Sequence, residues 1–373
     1  MSNRIVVVGA GGLSLGFFGP ELCNDYRLTF LDVAVKEDLI RSIHARHEYT
    51  ANIAGDEIEH VAVTGVNAFR LDDPAQDDAI RRDIADARVF FTAVGIRNLD
   101  KALSYLSERL KGRSDSIYIL CAENGEDVAA AWRTRLPDNI HLCETVMGRM
   151  CRIEDHAAPS YAPVAPGFEW AVVGEALYDM PLEDRYDDPE VFHSTAFLFC
   201  PSAEFQARDR VKLYAHNGLH FFIAAHGRLR GVEQFSDMAD DPEMRQAARE
   251  LLDGEIAPAL WRECGAAMGR QAFDAYMERL PDRLFSKTLA DHIARGIRNI
   301  EAKFDPNERV MGGLRLLLRN GIEPKRYCSL IAAGLEVARR DESPELAERL
   351  FGAIPDEDVK TEVKARWKTI RRL

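Results

Sequence analysis

The chain has 373 residues, enough for two domains, and its 46% hydrophobic and 29% charged content is that of an ordinary globular protein. Its formal net charge of −13 argues against nucleic acid as the main partner, so an anionic substrate would need a local basic pocket. No window reaches the roughly 18 apolar residues of a membrane span, and the opening apolar run is too short for a signal-peptide core. The cysteines (Cys23, Cys121, Cys143, Cys151, Cys200, Cys264, Cys328) are odd in number and scattered, with no C-x-x-C pair. That pattern points to reduced thiols in a cytoplasmic protein rather than a disulfide framework or a zinc site.

In chain order, Arg4–Val8 reads as a buried parallel strand. Gly9, Gly11 and Gly12 follow at once, and Phe17 and Phe18 open an apolar run. A strand, a glycine turn and a helix start in this order form the context of a dinucleotide fingerprint. Gly9 would allow the tight turn, and Gly11 the approach of the backbone to a pyrophosphate. Ser14 occupies the third glycine position, and so imperfect a fingerprint also fits any glycine-rich turn. The next strand, Tyr26–Asp32, ends in a carboxylate about twenty residues on, the spacing at which an acid binds the ribose hydroxyls of NAD and repels the extra phosphate of NADP. A strand-end or helix-cap role is the plainer alternative for Asp32.

Two further strands, within Ala87–Gly95 and Ser116–Gly125, run into polar loops. The first would bring Ala93, Val94 and Gly95 beside the cofactor. The second ends in Glu123, Asn124 and Gly125. Ligands of open α/β sheets bind beyond the carboxyl ends of the strands, which places Asn124 where an uncharged donor meets a substrate oxygen. An Asn-Gly pair alone is more often a turn. The stretch 154–189 is rich in Pro and Asp, with a short strand around 168–175, and the domain junction is expected there. Beyond residue 190 helical patterns dominate (208–228, 242–268, 287–300, 309–319, 326–340 and 344–352), with no convincing strand series. The expected architecture is therefore an α/β, doubly wound Rossmann-type NAD-binding domain (1–189) followed by an all-α substrate domain (190–373), with the site in the cleft between them.

Inside 208–228 lie Lys212, Asn217 and His220. On a regular helix the three fall within an arc of roughly 140°. A base, a neutral donor and an orienting imidazole are what hydride abstraction from an alcohol needs. A free lysine is protonated at neutral pH, so a base role requires burial or nearby positive charge. The plainer readings are a solvated Lys212 and a core His220. His216 and His220 also have the i, i+4 spacing of paired metal ligands, but no Glu follows the first histidine and no third ligand is near, so no metal is expected.

These residues resemble the polyol-specific long-chain dehydrogenases over nearly the whole chain. Lys212, Asn217 and His220 match that family's lysine–asparagine–histidine spacing, and Glu123–Asn124 resembles its Glu-Asn pair. Ala45–Tyr49, Thr64–Ala68 and Thr92–Gly95 are similar to stretches of its phosphate-using subgroup. Arg283, Asp291, Arg295 and Arg298 resemble a later block, which Lys303, Glu308 and Arg309 continue. The departures are Ser14 in place of a glycine, Gly148 before Arg149 in place of an aspartate, and Ser286–Lys287 in place of an Asn-Pro pair.

The resemblance implies metal-free, reversible hydride transfer between NAD and a small-molecule substrate, a sugar-alcohol phosphate, by a monomer. Lys212 would be the base, Asn217 and Asn124 the donors to the developing alkoxide, and His220 the residue that holds substrate oxygens. Asp209 would carry protons to solvent. Arg295, Arg283, Lys287, Arg298 and Lys303 would meet the phosphate, Arg295 foremost. An unphosphorylated polyol or a hexuronate is the alternative substrate, and a catalytically silent NAD-binding sensor the alternative class. The basic tail from Lys364 onward reads only as a solvated helix.

Overall fold

The computed structural model describes residues 3–55, 57–125, 127–155, 170–175, 180–183, 186, 188, 190–287 and 291–371. The chain divides into two compact units, Met1–Phe205 and Gln206–Leu373. The stretch in which composition places the junction, 154–189, lies mostly outside the described residues.

The strands of the first unit are β1 (Arg4–Val8), β2 (Arg27–Asp32), β3 (Glu48–Ala54), β4 (Ile58–Thr64), β5 (Val66–Arg70) and β6 (Val89–Thr92). They continue with β7 (Ile117–Cys121), β8 (Ile140–Glu144), β9 (Cys151–Asp155), β10 (Trp170–Glu175), β11 (Met180–Glu183) and β12 (Phe197–Cys200). Six of them form a parallel sheet in the order β5-β2-β1-β6-β7-β8. β1 shows why a continuous apolar run suits this position. Ile5 and Val7 pack into the core on one face, Val6 and Val8 into the core on the other, and all four are buried. The chain order reverses between β1 and β6, so the loops after these two strands open at the switch point where such sheets take their ligands.

A second sheet, β4-β3-β10-β9, was not foreseen, nor was the parallel pair β11-β12. The short strand expected around 168–175 is β10, whose sequence partner β3 is more than a hundred residues away. Beyond residue 190, where no strand series is expected, the described residues hold one short strand, β12.

The second unit is helical and closes on one large core. The expected 208–228 helix runs from Ser202 to Leu229, interrupted by a π-helical turn at Lys212–His216. The expected 242–268 helix is likewise interrupted at Leu252–Ile256. Arg270–Leu284 is a further helix that was not anticipated. The helix expected over 287–300 is not there as such: a five-residue helix, Ile293–Ile297, takes its place, and 288–290 lie outside the described residues. Two backbone constraints explain this. His292 is held extended by a β-bridge to Gln234, and Asn299 adopts a left-handed φ of 54°. Met311–Arg319, Tyr327–Asp341 and Pro344–Gly352 follow the expected pattern closely. The basic tail is not merely solvated: in the helix Glu357–Ile370, Val363 and Trp367 are buried against the core.

Candidate active site

On the first unit, Gly9 closes β1 with φ 107°, and a Cβ there would lie 2.5 Å from the Ala93 carbonyl oxygen. Only glycine tolerates both the dihedral and the contact. Gly11 has open space where a side chain would project, which leaves the backbone free for a ligand. Gly12 faces protein instead: a Cβ would run into the main chain of Cys151 and Arg152 on β9. Ser14, at the missing glycine position, is fully buried and its hydroxyl donates to the Gly9 carbonyl, so the serine braces the turn from beneath.

Asp32 accepts the Ala10 amide on Oδ2 at 2.7 Å and the Val33 amide on Oδ1 at 2.8 Å, tying the end of β2 to the glycine loop. Both oxygens keep further acceptor capacity, since an ionised carboxylate has about four lone-pair sites. Val33 and Val35 just after Asp32, and Ile96 just after Gly95, are the large apolar residues that stand exposed among the described ones. They were missed in the sequence, where the only available signal is an apolar residue following each polar strand end. A glycine turn open at Gly11, a carboxylate at the end of β2 and apolar side chains beside both fit a dinucleotide.

Ala93, Val94 and Gly95 are held by Glu123. Its carboxylate accepts the Thr92 hydroxyl at 2.7 Å and the Val94 amide at 2.9 Å, and burial pushes its pKa up despite these bonds. Glu123 is thus a brace between the β6 and β7 loops, a role that sequence reasoning did not assign. Asn124 follows it, exposed, past the carboxyl end of β7.

On the second unit the π-helical turn changes the geometry of the lysine helix. Such a turn carries about one extra residue, which sets back the phase of everything after it by about 100°. Lys212, Asn217 and His220 then share an arc of roughly 60°, tighter than on a regular helix. Lys212 is buried, and burial pushes its amine down to about 8; Asp209 opposes the shift, while Arg309 and Arg283 reinforce it.

His220 is buried and its pKa lowered, chiefly by burial and against the pull of Asp291. Its Nε2 lies 3.2 Å from Asp291 Oδ2, and its ring stacks on Phe235 with centroids 4.3 Å apart and planes 10° apart. His216 stacks parallel to His220 at 6.2 Å, and its buried Nδ1 meets no hydrogen-bond partner among the described residues. Among the described residues no group of three or more His, Cys, Asp or Glu side chains is gathered for a metal.

The cations expected at a phosphate are placed unequally. Arg283 lies near enough to lower both Lys212 and His216. Arg295 pairs with Asp291 at 3.1 Å and is otherwise exposed. Lys303 donates to the Arg298 carbonyl, and burial, with Arg309 and Arg298, pushes its amine down to about 8. Lys287 sits apart in an exposed ion pair with Asp240 at 2.7 Å. Arg309, not singled out beforehand for the phosphate, acts on Lys212, His220 and Lys303 alike.

The model of the mannitol dehydrogenase Rossmann domain matches residues 3–148, and that of the mannitol dehydrogenase C-terminal domain matches residues 205–362. The chain belongs to the mannitol dehydrogenase family. It therefore stands among the NAD-dependent polyol oxidoreductases. It is 25% identical over 347 residues to the mannitol-1-phosphate 5-dehydrogenase of Exiguobacterium sibiricum, covering 89% of this chain and 85% of that one. The enzyme of the same name from Bacillus licheniformis is 27% identical over 345 residues, covering 88% and 86%.

Among solved structures, a D-sorbitol dehydrogenase in substrate-free form aligns with a TM-score of 0.75 at 15% identity, covering all of this chain and 93% of its own. Pseudomonas fluorescens mannitol 2-dehydrogenase, solved with NAD and D-mannitol, gives 0.68 at 13% identity, covering 99% and 91%. At these identities the two likenesses show a shared fold. Among the described residues no helix is long and apolar enough to cross a membrane.

Proposed function

We propose that this family member interconverts D-mannitol 1-phosphate and D-fructose 6-phosphate with NAD, using Lys212 as the base and no metal. The observation that carries the reading is Lys212 itself: a buried amine, lowered to about 8, on one helix face with Asn217 and His220. NAD, when bound, supplies the hydride acceptor. In oxidation the neutral Lys212 amine takes the proton of the reacting hydroxyl as the carbon loses hydride, and Asn217 donates to the oxygen as negative charge develops there. Asn124 adds a second donor in this reading, and His220 holds a neighbouring hydroxyl. Asp209, one turn before Lys212, passes the proton toward solvent.

The phosphate is assigned to Arg295, Arg283, Arg298 and Lys303, with Arg309 beside them. Guanidinium forks match phosphate oxygens, and Lys212 and Lys303, lowered chiefly by burial, are lowered further by neighbouring arginines, which mark a cationic region that a dianion would neutralise. The names of the curated relatives support the phosphorylated substrate. Lys287, already paired with Asp240, contributes least. One observation favours an unphosphorylated polyol instead: Arg295 already shares its charge with Asp291. We further place the enzyme in the cytoplasm as a monomer, a location that its odd number of scattered cysteines, with no C-x-x-C pair, fits.

The test is reduction of NAD, followed by absorbance, with mannitol 1-phosphate, mannitol and hexuronates in parallel. The expected result is a kcat/KM at least a hundredfold higher for mannitol 1-phosphate. Equal turnover of free mannitol would show that there is no phosphate site, and full activity in Lys212→Ala would remove the base.

A further inference from the structure

The carboxylate of Asp291 is buried, and one of its oxygens, Oδ2, meets two donors: His220 Nε2 at 3.2 Å and Arg295 Nη2 at 3.1 Å. An ionised carboxylate only accepts and a guanidinium only donates. The hydrogen between Asp291 and His220 therefore belongs to Nε2. In a neutral ring that leaves the lone pair on Nδ1.

The plane of the ring is fixed as well. Phe235 stacks on it, and the Phe235 amide donates to the main-chain oxygen of the same Asp291 at 2.8 Å. Asp291 thus sets the proton position through its side chain and anchors the stacking platform through its backbone. At the other edge of the ring, a Cβ on Gly296 would lie 3.4 Å from Nδ1 and 2.4 Å from the Ala224 methyl, so the glycine keeps that edge uncrowded. Among the described residues no hydrogen bond is made by Nδ1.

We propose that Asp291 is a positioning residue that locks His220 in its Nε2–H form and so presents Nδ1 as an acceptor for a hydroxyl of the polyol. This inference rests on the polyol dehydrogenase reading above and adds the residue that orients its imidazole. An acceptor and a donor at this position are not interchangeable. A hydroxyl that donates to Nδ1 keeps its oxygen lone pairs for the surrounding cations, whereas an Nδ1–H would compete with those cations for the same lone pairs.

Asp291→Asn weakens the lock. Both donors meet the same oxygen, so a carboxamide oxygen in its place still accepts from them but carries no charge, and with the amide turned over its NH2 would face Nε2 and favour a proton on Nδ1.

The experiment is 15N NMR of histidine-labelled protein, full chain, with His220 assigned by its loss in His220→Asn. Wild type should show a protonated Nε2 and an unprotonated Nδ1, and Asp291→Asn a detectable share of the Nδ1–H form. With mannitol 1-phosphate, Asp291→Asn should raise KM by up to about tenfold, the value of one hydrogen bond, while the KM for NAD stays unchanged. In the His220→Asn background the same change should add no further loss. A wild-type His220 in its Nδ1–H form would overturn the proposal even if Asp291→Asn fails to fold. Full additivity of the two substitutions would overturn it too, because Asp291 would then act elsewhere. The expected tautomer in a wild type that oxidises none of the polyols would support the lock and defeat the functional reading instead.

Discussion

At the scale of single residues the chemistry turns on a lysine that must lose its proton before it can act. Only the neutral amine of Lys212 accepts the substrate proton, so kcat/KM for oxidation should rise with pH and level off above about 8. The neighbours move that limb in opposite directions. Asp209→Asn removes a charge that favours the ammonium and should shift the profile to lower pH. Arg309→Gln removes one that opposes it and should shift the profile upward. A pH–rate series on the three proteins checks this, and profiles that do not move would mean that another group limits the rate. Asn217→Ala should lower kcat by about 10²–10³ without moving the limb, as expected for a lost oxyanion donor.

The lysine, asparagine and histidine were legible in the sequence because they lie within nine residues of one helix. Asp291 and Phe235 could be quoted or passed over there but not given a task, since their contacts with His220 are made by chain folding rather than by spacing. Arg295 was legible as a cation, yet nothing in the sequence says that Asp291 already shares its charge.

At the scale of elements, β1, its glycine turn and β2 behave as one device. The Asp32 carboxylate both ends β2 and holds the Ala10 amide, so it fixes the loop that it helps to make selective. Wild type should prefer NAD to NADP in kcat/KM, and Asp32→Ser should narrow that gap chiefly by raising the KM for NAD. An NADP preference in wild type would mean that the acid does not face the ribose.

β1, β2, β6 and β7 could be read directly because each is largely a run of apolar residues buried on both faces, whereas the edge strands β5 and β8, with Asn67, Arg70 and His141 among their residues, could not. Nor could the β4-β3-β10-β9 sheet. β3 and β10 are mostly buried, but β4 alternates weakly, and the register of β3 with β10 bridges a long interval of sequence. The π-helical turn was invisible for a different reason. Side-chain periodicity counts residues, and one inserted residue shifts the phase without altering composition. Here the insertion brings the catalytic candidates closer together than a regular helix would.

At the scale of the whole molecule, the last helix is fastened to the core of the second unit by a buried acid. Glu336 lies in the Tyr327–Asp341 helix with no exposed surface. It accepts from Trp367 Nε1 at 3.0 Å, from Arg339 at 2.7 and 2.9 Å, and from Arg340 at 2.7 Å. Burial alone would raise its pKa, but the three donors outweigh burial and hold the carboxyl at about 2. An unfolded glutamate titrates near 4.3. The stability that Glu336 contributes is therefore complete above that value and is lost as the pH falls from about 4.3 toward about 2. Glu336→Gln keeps the shape and one acceptor but loses the charge, so it should cost about 1–3 kcal/mol at pH 7, the range for hydrogen bonds to an ionised group. The difference between the two proteins should then shrink through the acid window, because wild type loses its advantage as the carboxyl takes up a proton. Urea unfolding at pH 7, 4 and 3 measures it. Trp367 fluorescence reports whether the Glu357–Ile370 helix leaves the core first or together with the rest. A constant difference at all three pH values would show that the charge of Glu336 plays no part in holding that helix.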